Sequence, residues 1–439
     1  MSSKSGFTLL EVVIAGFVLG TVVVGIFSMI TLTLKASHDG QLRIIATGLA
    51  NEKMEQIRNL PYASVGTVGG IPSGSIPQTQ QVTRNGQTFT VATDIRYIDD
   101  SYDGTATSNP PDTVNTDYKQ ARVEVTWASS LPSRSVLLIA QVAPSGIEGG
   151  DSLGTLVFQA LNSAGTGVDS ATVQLTNSSV TPTVNLTTYT NSSGQVVIPG
   201  LPVSSGTYQL TVSKSGYTTE QTYASSANFT PDADHSRLNA IAGSVTNKTF
   251  AIDASSKLTI KTVDQNGAAL GSVPFSITGT KKIGTDATAQ PVYLFSHNDT
   301  TDSGGSIAYQ NMTWDSYALS VDGTATGYDI SDTSVPVPLV LKPGDDTTLT
   351  VTLMPHQALS AHITVVNASG QSVSGVAVEV VKNGFDVTKQ TGATGQVFLN
   401  TMTQSGDYAV TATASGYQVY TGTITVDGNV NSTIQLAGS

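Results

Sequence analysis

The chain has 439 residues, a formal net charge of −12 and no cysteine. An acidic surface disfavours non-specific binding to DNA or to anionic lipid, so nucleic acid is not expected among its partners. The missing thiols exclude a disulfide framework, a thiolate metal site and a cysteine nucleophile. The length allows three or four domains of ordinary size. Only 12% charged residues, beside 42 glycines and abundant Thr and Ser, read as many short strands with tight turns, outside the cell.

Lys4-Ser5-Gly6-Phe7-Thr8-Leu9-Leu10-Glu11 stands at the start, and no further charge occurs until Lys35. At 1.5 Å per residue, Val12 to Leu34 reaches roughly 35 Å, against a hydrocarbon core of about 30 Å. An ordinary secretory signal has a shorter apolar region with a small-residue cleavage site after it, whereas here the glycine precedes a longer run. Glu11 lies just inside the segment. A carboxylate there costs about 2.5–3.5 kcal/mol on insertion scales, which marks it as functional with a partner to be found. Gly16-Phe17-Val18-Leu19-Gly20 is a small-xxx-small pattern that permits close helix approach.

This leader resembles the class III signal of type IV prepilins and of type II secretion pseudopilins. The resemblance implies a prepilin peptidase that cuts after Gly6 and methylates the new amino terminus at Phe7. It also implies that Glu11 of an incoming subunit pairs with the terminal amine of a neighbour already in a filament. Opposite charges attract strongly in low dielectric and each is costly alone, so the pair sets register. The implied partners are other pilins, the peptidase, inner-membrane assembly machinery, and the membrane before assembly. The implied location is a single-pass membrane protein with a cytoplasmic amino terminus before processing, then an extracellular filament. Many pilins close a loop near the carboxyl end with a disulfide, which this chain lacks.

Residues 1–6 are thus expected to be a leader and 7–60 one helix. Leu42, Ile45, Leu49, Ala46 and Ile57 recur at helical spacing, while Arg43, Asn51, Glu52, Glu55 and Arg58 face away. Pro61 disfavours helix before it and predicts an end near Asn59-Leu60. The stretch from Asn51 to Tyr62 also resembles the helix exit of minor pilins of the type IV pilus modification group. A Gly/Pro/Ser loop follows. Arg84-Asn85-Gly86-Gln87 predicts a hairpin, because Asn-Gly tolerates positive φ. Phe89, Val91, Ile95 and Tyr97 alternate with polar neighbours, as do Val123, Val125 and Trp127, and Ser135 to Val142 adds a strand. Residues 61–148 are expected to be a globular β domain packed on the helix, the α+β pilin arrangement.

After a linker, Ala143 to Gly154, comes an internal repeat. Asn162-Ser-Ala-Gly165, Asp264-Gln-Asn-Gly267 and Asn367-Ala-Ser-Gly370 open its copies. Later come the strings beginning at Ser193, Gly304 and Thr394, then Tyr208, Tyr317 and Tyr408, then Gly216-Tyr217, Gly327-Tyr328 and Gly416-Tyr417. Each copy closes on an alternating strand, at Thr249–Ile252, Leu349–Leu353 and Thr433–Leu436. Repeats of roughly domain length mean tandem modules rather than a thin solenoid. Three all-β sandwiches are expected at 155–253, 256–355 and 358–439, with an insertion around Lys281–Asp302 in the second. The element order resembles the carboxypeptidase regulatory-like domain, a transthyretin-like sandwich, which implies a spacer or adhesive role. The recurring tyrosines are expected to be packing residues.

Asp99, Ser101 and Asp103 place oxygens at alternate positions before Gly104, like the opening of a calcium loop. The position that needs a bidentate glutamate in a helix-loop-helix site is Pro110, so only a looser cage with Asp112 and Asp117 is open, against a plain solvated acidic loop. Gly150-Asp-Ser152-Leu-Gly154 matches the nucleophile-elbow string but lacks a strand before it and a helix after it. The five histidines are scattered. No residue set for an enzyme emerges. The expected role is a minor pilin, assembled into or near the tip of a filament, with a projecting sandwich array. The alternatives are a pseudopilin of a type II secretion-like system and a displayed module that binds a surface glycan or host ligand.

Overall fold

A computed structural model describes residues 9–102, 104–109, 112, 115–128, 134–144 and 152–439. No proline interrupts the chain before Pro61, and the apolar and amphipathic stretches form one continuous helix, Leu9–Arg58. Its first half is exposed apolar surface, including Phe17, Val24, Phe27 and Leu34. The few hydroxyls there bond back to the helix: Thr21 to Val18 O, Ser28 to Val24 O, Thr31 to Ser28 O and Thr33 to Met29 O, all at 2.8–2.9 Å. Such a segment leaves little polar demand on its surroundings, as a hydrocarbon environment requires.

The second half is a different surface. Leu42, Ala46, Leu49, Ala50, Met54 and Ile57 form one buried stripe against Phe89, Val91, Ile95, Val123, Val125 and Trp127. Those side chains come from an antiparallel meander of Thr79–Arg84, Gln87–Ile98, Tyr118–Trp127 and Arg134–Val142. Asn85 and Gly86 make its first turn at φ 52° and 77°. Trp127 Nε1 donates to Asp39 Oδ1 at 3.3 Å, tying helix to sheet. Helix and meander form the head.

Beyond the head, the described residues form three β-sandwiches. In the first, Val245–Ala251, Leu153–Leu161 and Gln195–Pro202 face a sheet built on Ser204–Ser213, Thr172–Asn177 and Val184–Tyr189. In the second, Ser306–Met312, Ser256–Val263, Asp346–Pro355 and Tyr328–Thr333 face Ser296–Thr300, Pro274–Thr278, Asp315–Ser320 and Leu339–Leu341. In the third, Gln396–Leu399, Ser360–Asn367 and Asn429–Leu436 face Phe385–Gln390, Ala377–Lys382, Gly406–Thr413 and Tyr420–Val426. The closing strand of each runs parallel to its opening strand.

The sequence repeat has a physical content. Asn162, Asp264 and Asn367 each accept two backbone N–H groups from the turn that follows, at 2.8–3.0 Å. Gly165, Gly267 and Gly370 sit at φ near 80° in those turns (77°, 81° and 77°), a region that favours glycine. Tyr208, Tyr317 and Tyr408 are fully buried, and each donates its hydroxyl to a backbone carbonyl at 2.6 Å: Pro202, Thr313 and Gln404 respectively. Burial pushes the Tyr208 phenol up to about 12 and also raises that of Tyr317. Tyr217, Tyr328 and Tyr417 pack partly buried against the same cores. One recurrence escaped the sequence pattern: Thr190, Thr301 and Thr391 are buried, each accepting the backbone N–H of the residue just before a neighbouring strand: Ala171, Val273 and Val376 respectively.

Each of Tyr208→Phe, Tyr317→Phe and Tyr408→Phe is expected to destabilise its own sandwich by about 1 kcal/mol, because a buried phenol's hydrogen bond to a part-buried loop carbonyl is lost. That corresponds to a melting shift of about 4–8 °C for a unit of this size, read by calorimetry. Three unchanged melting profiles would show that the hydroxyls are solvated rather than structural.

Candidate functional site

The described residues converge on no catalytic pocket, and the residues singled out in the sequence fall into separate places. Gly6 and Phe7 lie outside the described residues. Glu11 is in the first turn of the helix on its exposed surface. Gly16 and Gly20 follow on the same helix, and a Cβ built on either meets nothing within 4 Å, so that face is open to a neighbouring helix. The helix is long and apolar enough in its exposed half to cross a membrane.

The acidic loop organises itself. Asp99 Oδ2 accepts from Ala106 N at 2.8 Å, Asp100 Oδ1 from Tyr102 N at 2.8 Å, and Asp117 Oδ2 from Asp100 N at 2.5 Å. Asp112 receives the Asn115 amide through its carbonyl at 2.9 Å. Ser101 is exposed, and Asp103 lies outside the described residues. Among the described residues no group of three or more His, Cys, Asp or Glu is placed to hold a metal ion. Asp99, Asp100 and Asp117 thus each accept at least one of the loop's own amides.

Ser152 precedes the strand Leu153–Leu161 directly, so the elbow string opens a strand where a nucleophile needs a helix. A polar groove of about 400 Å³ on the first sandwich is lined by Gln174, Thr176, Asn177, Gln209 and Arg237. Amides and hydroxyls there make no acid–base pair.

What the structure does bring together lies at the junctions. Between head and first sandwich, Ile71 of the loop after the helix is buried in the sandwich core, with Tyr97 packed beside it. A Cβ at Gly200 would overlap the Tyr97 ring, so glycine is required for this contact. Asn185 N donates to Gly69 O at 2.6 Å and Arg96 reaches Thr188 Oγ1 at 3.3 Å.

Between first and second sandwiches, the insertion forms a hairpin, Lys282–Asp286 with Pro291–Tyr293, whose first strand pairs antiparallel with Phe229–Pro231 of the first sandwich. A Cβ at Gly284 would overlap the Thr230 carbonyl. Next to this clasp His235 lies 2.7 Å from Asp232 and 3.6 Å from Glu220, and burial raises the Glu220 carboxyl. Lys281 stacks on Trp314 at 3.4 Å from the ring centre, and burial lowers its amine to about 8.

Between second and third sandwiches, the buried Asp329 accepts from Gln357 N at 2.9 Å and from Asn429, and lies 2.8 Å from His356 Nδ1. Gln396 donates to Thr333 Oγ1 at 2.7 Å and accepts from Thr333 N at 3.1 Å, with His362 Nε2 at 3.0 Å from the same amide oxygen. Burial lowers the His362 imidazole. These histidines, scattered in sequence, are junction residues.

The head holds one more unusual cation. Lys119 is 1% exposed; its Nζ donates to Tyr62 O at 2.7 Å and Val65 O at 2.8 Å and lies over the Tyr62 and Tyr97 rings. It pins the turn that follows Pro61. Burial lowers its amine to about 8.

No family model matches the chain, and no curated protein matches it. Among solved structures, the Bacillus anthracis TIE protein is 13% identical, covering 82% of this chain and 72% of that one, with a TM-score of 0.19. A streptococcal ancillary pilin is 14% identical over 65% of this chain and 99% of that one, TM-score 0.18. BcpA, the major pilin subunit of Bacillus cereus, is 13% identical over 65% and 100%, TM-score 0.17. At scores this low the chains do not superpose as wholes.

Two outcomes are expected. Between pH 8 and 10 unfolded Lys119 binds a proton that the folded head holds less tightly, so its contribution makes stability rise with pH. Above pH 10 the phenol of Tyr62, raised to about 12, opposes the trend. The pH slope of head stability, followed by hydrogen exchange, should therefore flatten in Lys119→Met, and an identical slope would contradict the burial. Separately, Asp329→Ala removes the buried carboxylate that gathers Gln357 N, Asn429 and His356, and should cost about 1–3 kcal/mol at the junction. Limited proteolysis should then cut near residues 355–360, whereas an uncut variant would show that the junction does not rest on this carboxylate.

Proposed function

We propose that the chain is a minor subunit of a type IV-like pilus, anchored in the membrane and then assembled with other pilins. A prepilin peptidase cleaves after Gly6 and methylates Phe7, and Glu11 pairs with the terminal amine of a neighbouring subunit. One observation carries the reading: a single helix bears exposed apolar surface and an early carboxylate in its first half, and a buried stripe against an antiparallel sheet in its second. Lipid covers the first half before assembly, and other subunits' helices cover it afterwards. Gly16 and Gly20 support close approach there.

The sandwich array extends from the head as a spacer or adhesive arm. Three sandwiches on every subunit would crowd a shaft, which favours sparse incorporation or a place near the tip. A secretion pseudopilus shares the same helix, yet its piston has no evident use for so long an arm. The polar groove around Arg237 favours, as a second reading, display of a glycan-binding face.

The test is the mature amino terminus and Glu11→Gln. Mass spectrometry should find the protein beginning at methylated Phe7. The variant should insert normally yet enter filaments roughly tenfold less or worse, because the buried ammonium loses its counter-charge. A mature protein that retains Met1, or a variant that polymerises normally, would overturn the proposal.

A further inference from the structure

In each sandwich the chain enters along one strand and leaves along its parallel neighbour. Thr155–Leu161 pairs with Val245–Ala251, Lys257–Val263 with Asp346–Thr352, and Ser360–Asn367 with Asn429–Leu436, each in uninterrupted parallel register. Because the pair is parallel, entry and exit lie at opposite ends of the sandwich. A pull between them runs along the strands, so all the hydrogen bonds between the two strands are loaded together and must fail together. In an antiparallel pair pulled from its open end, the same bonds break one at a time. Forced unfolding is governed by the unfolding barrier, not by equilibrium stability, so this difference in geometry changes strength without changing the fold.

The geometry points to a further function: the sandwiches are tension-bearing links, and the first and second carry any load applied at the third through their parallel end strands. Three details fit. Both exit segments are tied down where load leaves: Ile252 N donates to Leu161 O at 2.9 Å, and His356 N to Gly327 O at 2.8 Å. Ser163 holds Asp253 by its N–H and hydroxyl at 3.0 and 2.6 Å. The clasp strand Lys282–Asp286 and the Asp329 cluster give load a second route across each junction beside the covalent chain. The role deepens the proposed projecting arm, but the mechanical property belongs to the chain itself.

The absence of cysteine makes the test clean, since introduced thiols are the only attachment points. In detergent-solubilised full-length chain, Ser152→Cys with Ala251→Cys loads the first sandwich along its parallel pair. Ser152→Cys with Val203→Cys loads the antiparallel pair Leu153–Pro202 from its open end. All three positions are exposed. Under optical-tweezers or force-microscope pulling at one loading rate, the first pair should open at a several-fold higher force, lengthening by roughly 300 Å. The second should open at low force and lengthen by roughly 170 Å. Equal forces in the two geometries, or a weaker parallel pair, would overturn the inference. Neither outcome depends on filament assembly, so failure here and failure of Glu11→Gln to block incorporation are separate results.

Discussion

An apolar helix surface cannot stay in water, and that constraint orders everything else in this chain. Leu9 to Leu34 presents leucine, valine, isoleucine and phenylalanine on all sides, with its hydroxyls turned back onto its own carbonyls. At about 25 cal/mol per Å² such a surface is worth tens of kcal/mol to whatever covers it. The same helix, one unbroken rod, is also the backbone of the head, so the head stands wherever the apolar half is anchored. For the proposed filament subunit, such a rigid coupling would transmit a register set at the helix to the folded part.

The second constraint is the missing disulfide. A chain that lacks cysteine must stabilise its turns and borders by hydrogen bonds and packing, with no disulfide to help. It does so with repeated small devices: an Asn or Asp that caps the turn after the first strand, a buried Thr bridging strands, and a Tyr whose hydroxyl holds a loop carbonyl. Each is worth only about 1 kcal/mol net, and the Thr hydroxyls also satisfy buried backbone groups that would otherwise be costly. The three copies use the same positions because the same strand crossing creates the same orphan groups.

The alternating strands, the Asn85-Gly86 hairpin, the helix stop at Pro61 and the repeat were legible because period and turn chemistry are local. Lys119 was legible too, and easily missed: it falls in step with Ala121, Val123, Val125 and Trp127 on the inward face of its strand, so period two places a lysine in the core. Its partners, the carbonyls of Tyr62 and Val65, are far away in sequence and carry no pattern. Asp329 with His356 and Asn429, and Thr333 with Gln396, were illegible for the same reason: polar partners between modules leave no periodic trace. Tyr97 continued the alternation of the head's second strand, yet its ring packs against the first sandwich. The insertion at Lys281–Asp302 was visible as extra length; that it reaches back to pair with Phe229–Pro231 depends on two sandwiches being adjacent.

Lys119 apart, which lies inside the head, these unpatterned contacts have one property in common: each spans a border. Ile71 enters the next unit's core, the hairpin adds a strand to the preceding unit's Phe229–Pro231, and Asp329 gathers donors from the linker and the following unit. Tandem modules on bare linkers would leave such borders wet and would let each unit turn independently. Buried carboxylates and strand pairing at a border are costly unless the geometry is held, so their presence makes relative rotation expensive. An arm whose links resist rotation at their borders delivers force along its end strands, which is the direction in which a parallel pair is strongest. Border contacts and strand order therefore belong to one mechanical design.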